Sequence, residues 1–168
     1  MSPGFDAVTV MRHFLLCDAM KAGPFRPEND ALAAIAAKRA EIAAMSVANV
    51  IAGVTYAPRR IRYLKARWSL VEVELSQCYV WQRMGERPWA TGTVDTLLPV
   101  FRQRELKDSR VWAMVPLAGL FADHLRIIII RDAGILHIDD GSHRAIAMAL
   151  GGRSVARAFI GSIGGGKP

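Results

Sequence analysis

Large apolar residues recur at three- and four-residue intervals from Phe5 to Met20, at Phe5, Val8, Met11, Phe14 and Leu15, the spacing of one helix face. Gly23, Pro24 and Pro27 break the pattern. Asn29 and Asp30 then offer N-cap side chains for a second, Ala-rich helix from Ala31 to about Val50. Its contact stripe is Leu32, Ile35, Ile42 and Met45, with Lys38, Arg39 and Glu41 on the wet side, and Gly53 and Pro58 end it. From Trp68 to Trp81 the period changes: Leu70, Val71, Val73, Leu75, Tyr79 and Val80, with Glu72 and Glu74 between them, predict extended structure. Gly85, Pro88 and Gly92 mark a loop. Val94 to Lys107, with Pro99 inside, predicts irregular chain or a short helix, and Val111 to Leu120 fits either a strand or a helix.

The last third carries the clearest pattern. Leu125 to Arg131 is a β-branched run, Asp132-Ala133-Gly134 a turn, and Ile135 to Asp139 a second short strand, together a hairpin. Asp140-Gly141-Ser142 leads into a helix from His143 to Leu150 that stops at Gly151 and Gly152, and Val155 to Ile160 supplies another strand. The expected class is α+β: a small mixed sheet with helices, preceded by an N-terminal helical segment. The divisions are 1–55 for that segment, 56–161 for the mixed domain, and 162–168 for a glycine-rich tail that should fray.

A chain of 168 residues has room for one core. No apolar run approaches the roughly 18 to 20 residues that span a bilayer, so no membrane partner is expected. Asp6, Arg12, Asp18 and Lys21 interrupt any secretory pattern, so the expected location is cytoplasmic. Cys17 and Cys78 lack metal-type spacing and are expected as buried thiols. The formal net charge of +7 implies attraction to phosphate, nucleic acid or an acidic surface. No acid lies between Glu41 and Glu72, where Arg59, Arg60, Arg62, Lys65 and Arg67 crowd beside Tyr56, Tyr63 and Trp68. Such a stretch either follows a nucleic-acid backbone while its aromatics stack on bases, or is a solvated basic face whose aromatics turn into the core. The N-terminal helices offer a surface for a homodimer or a protein partner.

Chemistry concentrates where Asp139 and Asp140 enter a glycine turn that opens directly onto a helix. Free amides and the positive end of the helix dipole converge there, and Gly141 lets an oxygen approach with no Cβ in the way. Arg144 can add a forked donor, and Ser142 and His143 further donors. The alternative is a capped helix in which Asp139 or Asp140 accepts from first-turn amides and Arg144 pairs with a carboxylate. His137, Asp139, Asp140 and His143 also invite a metal. Strand alternation puts 137 and 139 on one face and 140 on the other, so spacing alone does not make them converge. A Mg²⁺ ion brought by a nucleotide and touched by Asp139 or Asp140 fits better than a site built by the protein alone.

The segment from Ile127 to Gly161, IIIIRDAGILHIDDGSHRAIAMALGGRSVARAFIG, resembles the strand, strand, D-G-x-H-R, helix, glycine, strand signature of the ParB/sulfiredoxin-like superfamily. The resemblance implies a nucleoside triphosphate, ATP or CTP with Mg²⁺, whose phosphates sit at Gly141, Ser142, His143 and Arg144. Phosphoryl transfer or nucleotide hydrolysis would then involve Asp139, Asp140 and His143. Sulfiredoxins have a reactive Cys where this chain has Ser142, so sulfinic-acid repair is not expected. Partition proteins carry a G-x-R-R-like turn and a downstream helix-turn-helix, which is not expected in the few residues after Gly161. Free-amino-acid kinases have a D-G-H-H-R-like turn close to Asp140-Gly141-Ser142-His143-Arg144. A catalytic base across the pocket would have to come from Glu72, Glu74, Glu86 or Asp95. The competing class is a non-enzymatic DNA- or protein-binding module that uses residues 56–68.

Overall fold

The structure, a computed structural model, describes residues 4–21, 28–81, 91–103 and 110–164. The expected breaks at Gly23, Pro24, Pro27, Gly85 and Pro88, the candidate base Glu86 and the end of the tail lie outside these residues. Four helices come first: α1 (Ala7–Lys21), α2 (Glu28–Ala43), α3 (Val47–Gly53) and α4 (Ala57–Lys65). Then follow β1 (Arg67–Glu74), β2 (Cys78–Trp81), β3 (Thr91–Thr93), α5 (Val94–Phe101), α6 (Arg110–Met114) and α7 (Ala118–Asp123). The signature segment forms β4 (Ile127–Asp132), β5 (Ile135–Asp140), α8 (Ser142–Leu150) and β6 (Val155–Ser162). The architecture is α+β. No helix among the described residues is long and apolar enough to cross a membrane.

The strands form one mixed sheet in the order β1-β6-β4-β5-β2-β3. β4 pairs antiparallel with β5 through the hairpin and parallel with β6, which returns after α8. Ile127 to Ile130 are all buried because β4 is central and covered on both faces. Ile127 and Ile129 pack with α8 and α5 to α7, while Ile128 and Ile130 pack with Val10, Met11, Phe14, Tyr63 and Trp68. Burying each such side chain is worth about 1.5 to 3 kcal/mol, so this strand anchors both layers. The hairpin turn places Ala133 at φ 45° and Gly134 at φ 83°, the left-handed pair that matches strand twist.

Several boundaries differ from expectation for identifiable reasons. The second helix does not run to Val50. It starts at Glu28, which puts Asn29 and Asp30 inside its first turn, and it ends at Ala43. Ser46 then caps α3 by accepting from the Asn49 amide (3.2 Å). Arg12 fixes the break, donating to the carbonyls of Ile42, Ala43 and Met45 at the C-terminal end of α2. Of the expected stripe, Ile35 and Ile42 are buried, whereas Leu32 is exposed. The Trp68 to Trp81 strand is divided by a 3₁₀ turn, Leu75–Gln77, and Gly92, expected in a loop, lies in β3. α5 is the short helix allowed for around Pro99, and Thr93 caps it. Residues 111–120 are helical, not extended.

Candidate functional site

A cavity of about 800 Å³ opens at the C-terminal end of β5. Its wall is built by α1 (Cys17, Lys21), α4 (Arg59, Arg62), α6 (Arg110, Met114), the end of β5 and the first turn of α8. Gly141 is the N-cap of α8, with φ 98°, and supplies no side-chain cap. Helix geometry leaves the first-turn amides without intrahelical acceptors. With no capping side chain, and with Gly141, Ser142 and His143 lining the cavity, that end is open to an anion.

The two aspartates are clasped. Asp139 accepts from Arg59 Nε at Oδ2 (2.6 Å), from Arg62 Nη2 at Oδ1 (2.6 Å) and from the Tyr63 hydroxyl at Oδ2 (2.9 Å). Asp140 accepts from Lys21 Nζ at Oδ1 and from Arg144 Nη2 at Oδ2, both at 2.7 Å. Strand alternation would point the two carboxylates apart. A register shift opposite Ile128 and Ile129 leaves Asp139 without a cross-strand partner, and both carboxylates reach the N-terminal helices. Phe14 on α1 lies beneath both the Arg59 guanidinium (4.8 Å) and the Lys21 ammonium (5.7 Å), so the two clasps are neighbours.

Burial alone would raise the Asp140 carboxyl, but the Arg144 guanidinium and the Lys21 ammonium hold it well below the usual carboxylate range. It is a permanent anion and a weak base. Tyr63 is pushed well above the ordinary phenol value by burial and by Asp139, so its hydroxyl stays a donor. His143 is lowered by burial and by the cations Arg110, Lys21 and Arg144, and is a neutral imidazole at the cavity wall near neutral pH. Burial drives the Cys17 thiol up to about 11, which removes it as a nucleophile near neutrality.

Each expected site residue now has a place. Gly141, Ser142, His143 and Arg144 all line the cavity. Arg144 was expected to fork onto phosphate. The residue is only 4% exposed, and its side chain lies under Gly141 at the cavity wall and pairs with Asp140 as in the carboxylate-paired alternative. Asp139 and Asp140 have all four oxygens engaged by cations. They do not fit direct coordination of magnesium, and no His/Cys/Asp/Glu group among the described residues forms a metal cluster. Of the basic stretch, Arg59 and Arg62 turn to the cavity, Lys65 and Arg67 are exposed, and Arg60 points at the Val54 carbonyl (3.4 Å). Tyr63 and Trp68 are core residues, leaving Tyr56 as the exposed aromatic of the stretch. Glu72, Glu74 and Asp95 are exposed and none lines the cavity.

Sequence reasoning missed Lys21 and Arg110. Arg110 Nη2 donates to the Lys21 carbonyl (3.0 Å), tying α6 to the end of α1. Five cationic side chains and three carboxylates line the cavity, a surplus of two positive charges with histidines neutral. Comparison with protein-family models, curated proteins and solved structures finds no match.

Proposed function

We propose that this chain is a nucleotide-binding protein of the ParB/sulfiredoxin-like kind, which takes the phosphates of ATP or CTP at the first turn of α8. The observation that carries the reading is an uncapped helix N-terminus, at a left-handed glycine, opening into a cavity with surplus positive charge. Backbone amides of the Gly141–His143 turn, the Ser142 hydroxyl and Arg110 are the phosphate donors. Arg144 acts behind them by holding Asp140, and Asp140 in turn holds Lys21 at the wall. The order hairpin, turn, α8 and β6 returning parallel to β4 supports the superfamily reading.

Binding is favoured over phosphoryl transfer. Catalysis by Asp139 or Asp140 as base conflicts with the cation held on each of their oxygens, and the other described candidate acids face solvent. His143, a neutral imidazole at the wall, is a group able to accept a proton there. Any magnesium therefore rides on the phosphates and not on these carboxylates.

The test is calorimetric titration of the chain with the four nucleoside triphosphates, with and without magnesium, followed by product analysis. ATP or CTP should bind, and Arg110→Ala, whose side chain is exposed and pairs with no carboxylate among the described residues, should weaken that binding by about 1.5 to 3 kcal/mol, the range of a charge-assisted bond. Absence of binding by all four overturns the reading.

A further inference from the structure

Helix α4 is oriented against its own composition. Ile61 and Leu64 face outward at 50% and 48% exposed, while Arg59 and Arg62 lie on the inward side at the cavity wall. A helix that only stabilised the fold would bury its aliphatic residues and leave its arginines in water. The two arginines are also both held on Asp139. Arg59 makes a double contact with Asp139, Nε to Oδ2 at 2.6 Å and Nη2 to the backbone oxygen at 2.8 Å, and its guanidinium lies over Phe14. Arg62 takes the other carboxylate oxygen. Tyr63, fully buried, donates its hydroxyl to the same Asp139, and its own carbonyl is fixed by the Trp68 indole N–H at 2.9 Å.

A guanidinium has five N–H donors, and Asp139 uses two from Arg59 and one from Arg62. The remaining donors meet no other acceptor among the described residues, and both side chains are partly exposed at the cavity wall. Together with Lys21 and Arg144 they place four cations around two adjacent carboxylates, with charge left for a ligand.

We propose that Arg59 and Arg62 are the specificity-determining residues of the cavity: they contact the anionic groups of a polyphosphate chain beyond the phosphate held at the α8 turn, and Asp139 and Tyr63 are their positioning residues. This rests on the phosphate-binding reading above. The ligand class is a di- or triphosphate, and a single phosphate reaches the turn without needing α4. Pre-set donors lower the ordering cost of binding, which is what the Asp139 and Tyr63 contacts achieve.

The experiment titrates the full chain with two base-free probes, inorganic phosphate and inorganic triphosphate. Arg59→Gln with Arg62→Gln should weaken triphosphate binding about ten- to hundredfold and leave phosphate binding within about threefold, since the turn is intact. Tyr63→Phe keeps the ring packing and removes one positioning bond, so it should give a smaller loss with the same triphosphate-selective signature. Because the double variant strands the Asp139 carboxylate, a triple variant that adds Asp139→Asn removes that charge as well and should show the same selectivity if the double variant does not fold. Equal losses for both probes, or none, overturn the inference while the turn reading stands. If the unaltered chain binds neither probe, both readings fall together.

Discussion

Gly141→Ala tests the geometry of the turn more sharply than any charge removal. Gly141 sits at φ 98°, where an L side chain costs roughly 1 to 2 kcal/mol. A Cβ built there would lie 2.7 Å from Arg144 Nη2, 2.9 Å from Ile127 Cγ2 and 3.1 Å from Arg144 Nε. Ile127 is fully buried in the central strand and cannot retreat, so the guanidinium must move off Asp140. Overpacking of this kind adds about 1 to 3 kcal/mol, for a total of roughly 2 to 5 kcal/mol. Gly134 provides the control, because its φ of 83° carries the same conformational cost and nothing lies within 4 Å of a Cβ there. Gly134→Ala should therefore cost only the roughly 1 to 2 kcal/mol of backbone strain. Urea denaturation of both variants reads the difference. Equal losses, or a smaller loss at Gly141, would refute the placement of Arg144 beneath the turn.

Two further outcomes follow from the buried charges. Asp140→Asn leaves Arg144 charged and 4% exposed with no anion partner, so it should lower stability by about 3 to 5 kcal/mol, read as a fall in thermal midpoint; a loss under about 1 kcal/mol would contradict the clasp. His13, lowered to about 4 chiefly by burial, is neutral in the fold while the unfolded chain takes up a proton near 6.5. Stability should then be full above pH 6.5 and fall by up to about 3 kcal/mol as pH drops toward 4. Urea midpoints of His13→Gln should show a shallower fall than the parent, with some slope kept by His143, which is lowered too.

The signature segment was legible because its signals are local. Four consecutive isoleucines, a left-handed Ala-Gly turn and a helix ended by two glycines each have one good local solution, and the structure adopts them. The break at Ala43 was less legible. Ser46 is an ordinary cap signal, but the groups that hold the end of α2 belong to Arg12, some thirty residues away. At the site, the turn residues were visible and the cations that complete it were not. Lys21 reaches Asp140 across 119 positions and Arg59 reaches Asp139 across 80, so no spacing rule connects them. The arginine run showed as a charge excess. Its destination depended on Tyr63 and Trp68 turning inward, which rotates Arg59 and Arg62 to the cavity and away from open solvent. Arg144 was visible too, but composition could not say whether its fork would meet a ligand or Asp140.

The most direct measurement is a backbone amide NMR map of the chain titrated with CTP and, separately, ATP. The Gly141, Ser142 and His143 amides should shift most with at least one of them, because they donate to the phosphates at the head of α8. Smaller shifts are expected at Arg59, Arg62 and Arg110. Saturable binding that leaves the amides of residues 141–143 unmoved, or no shift anywhere with either nucleotide, would contradict the account.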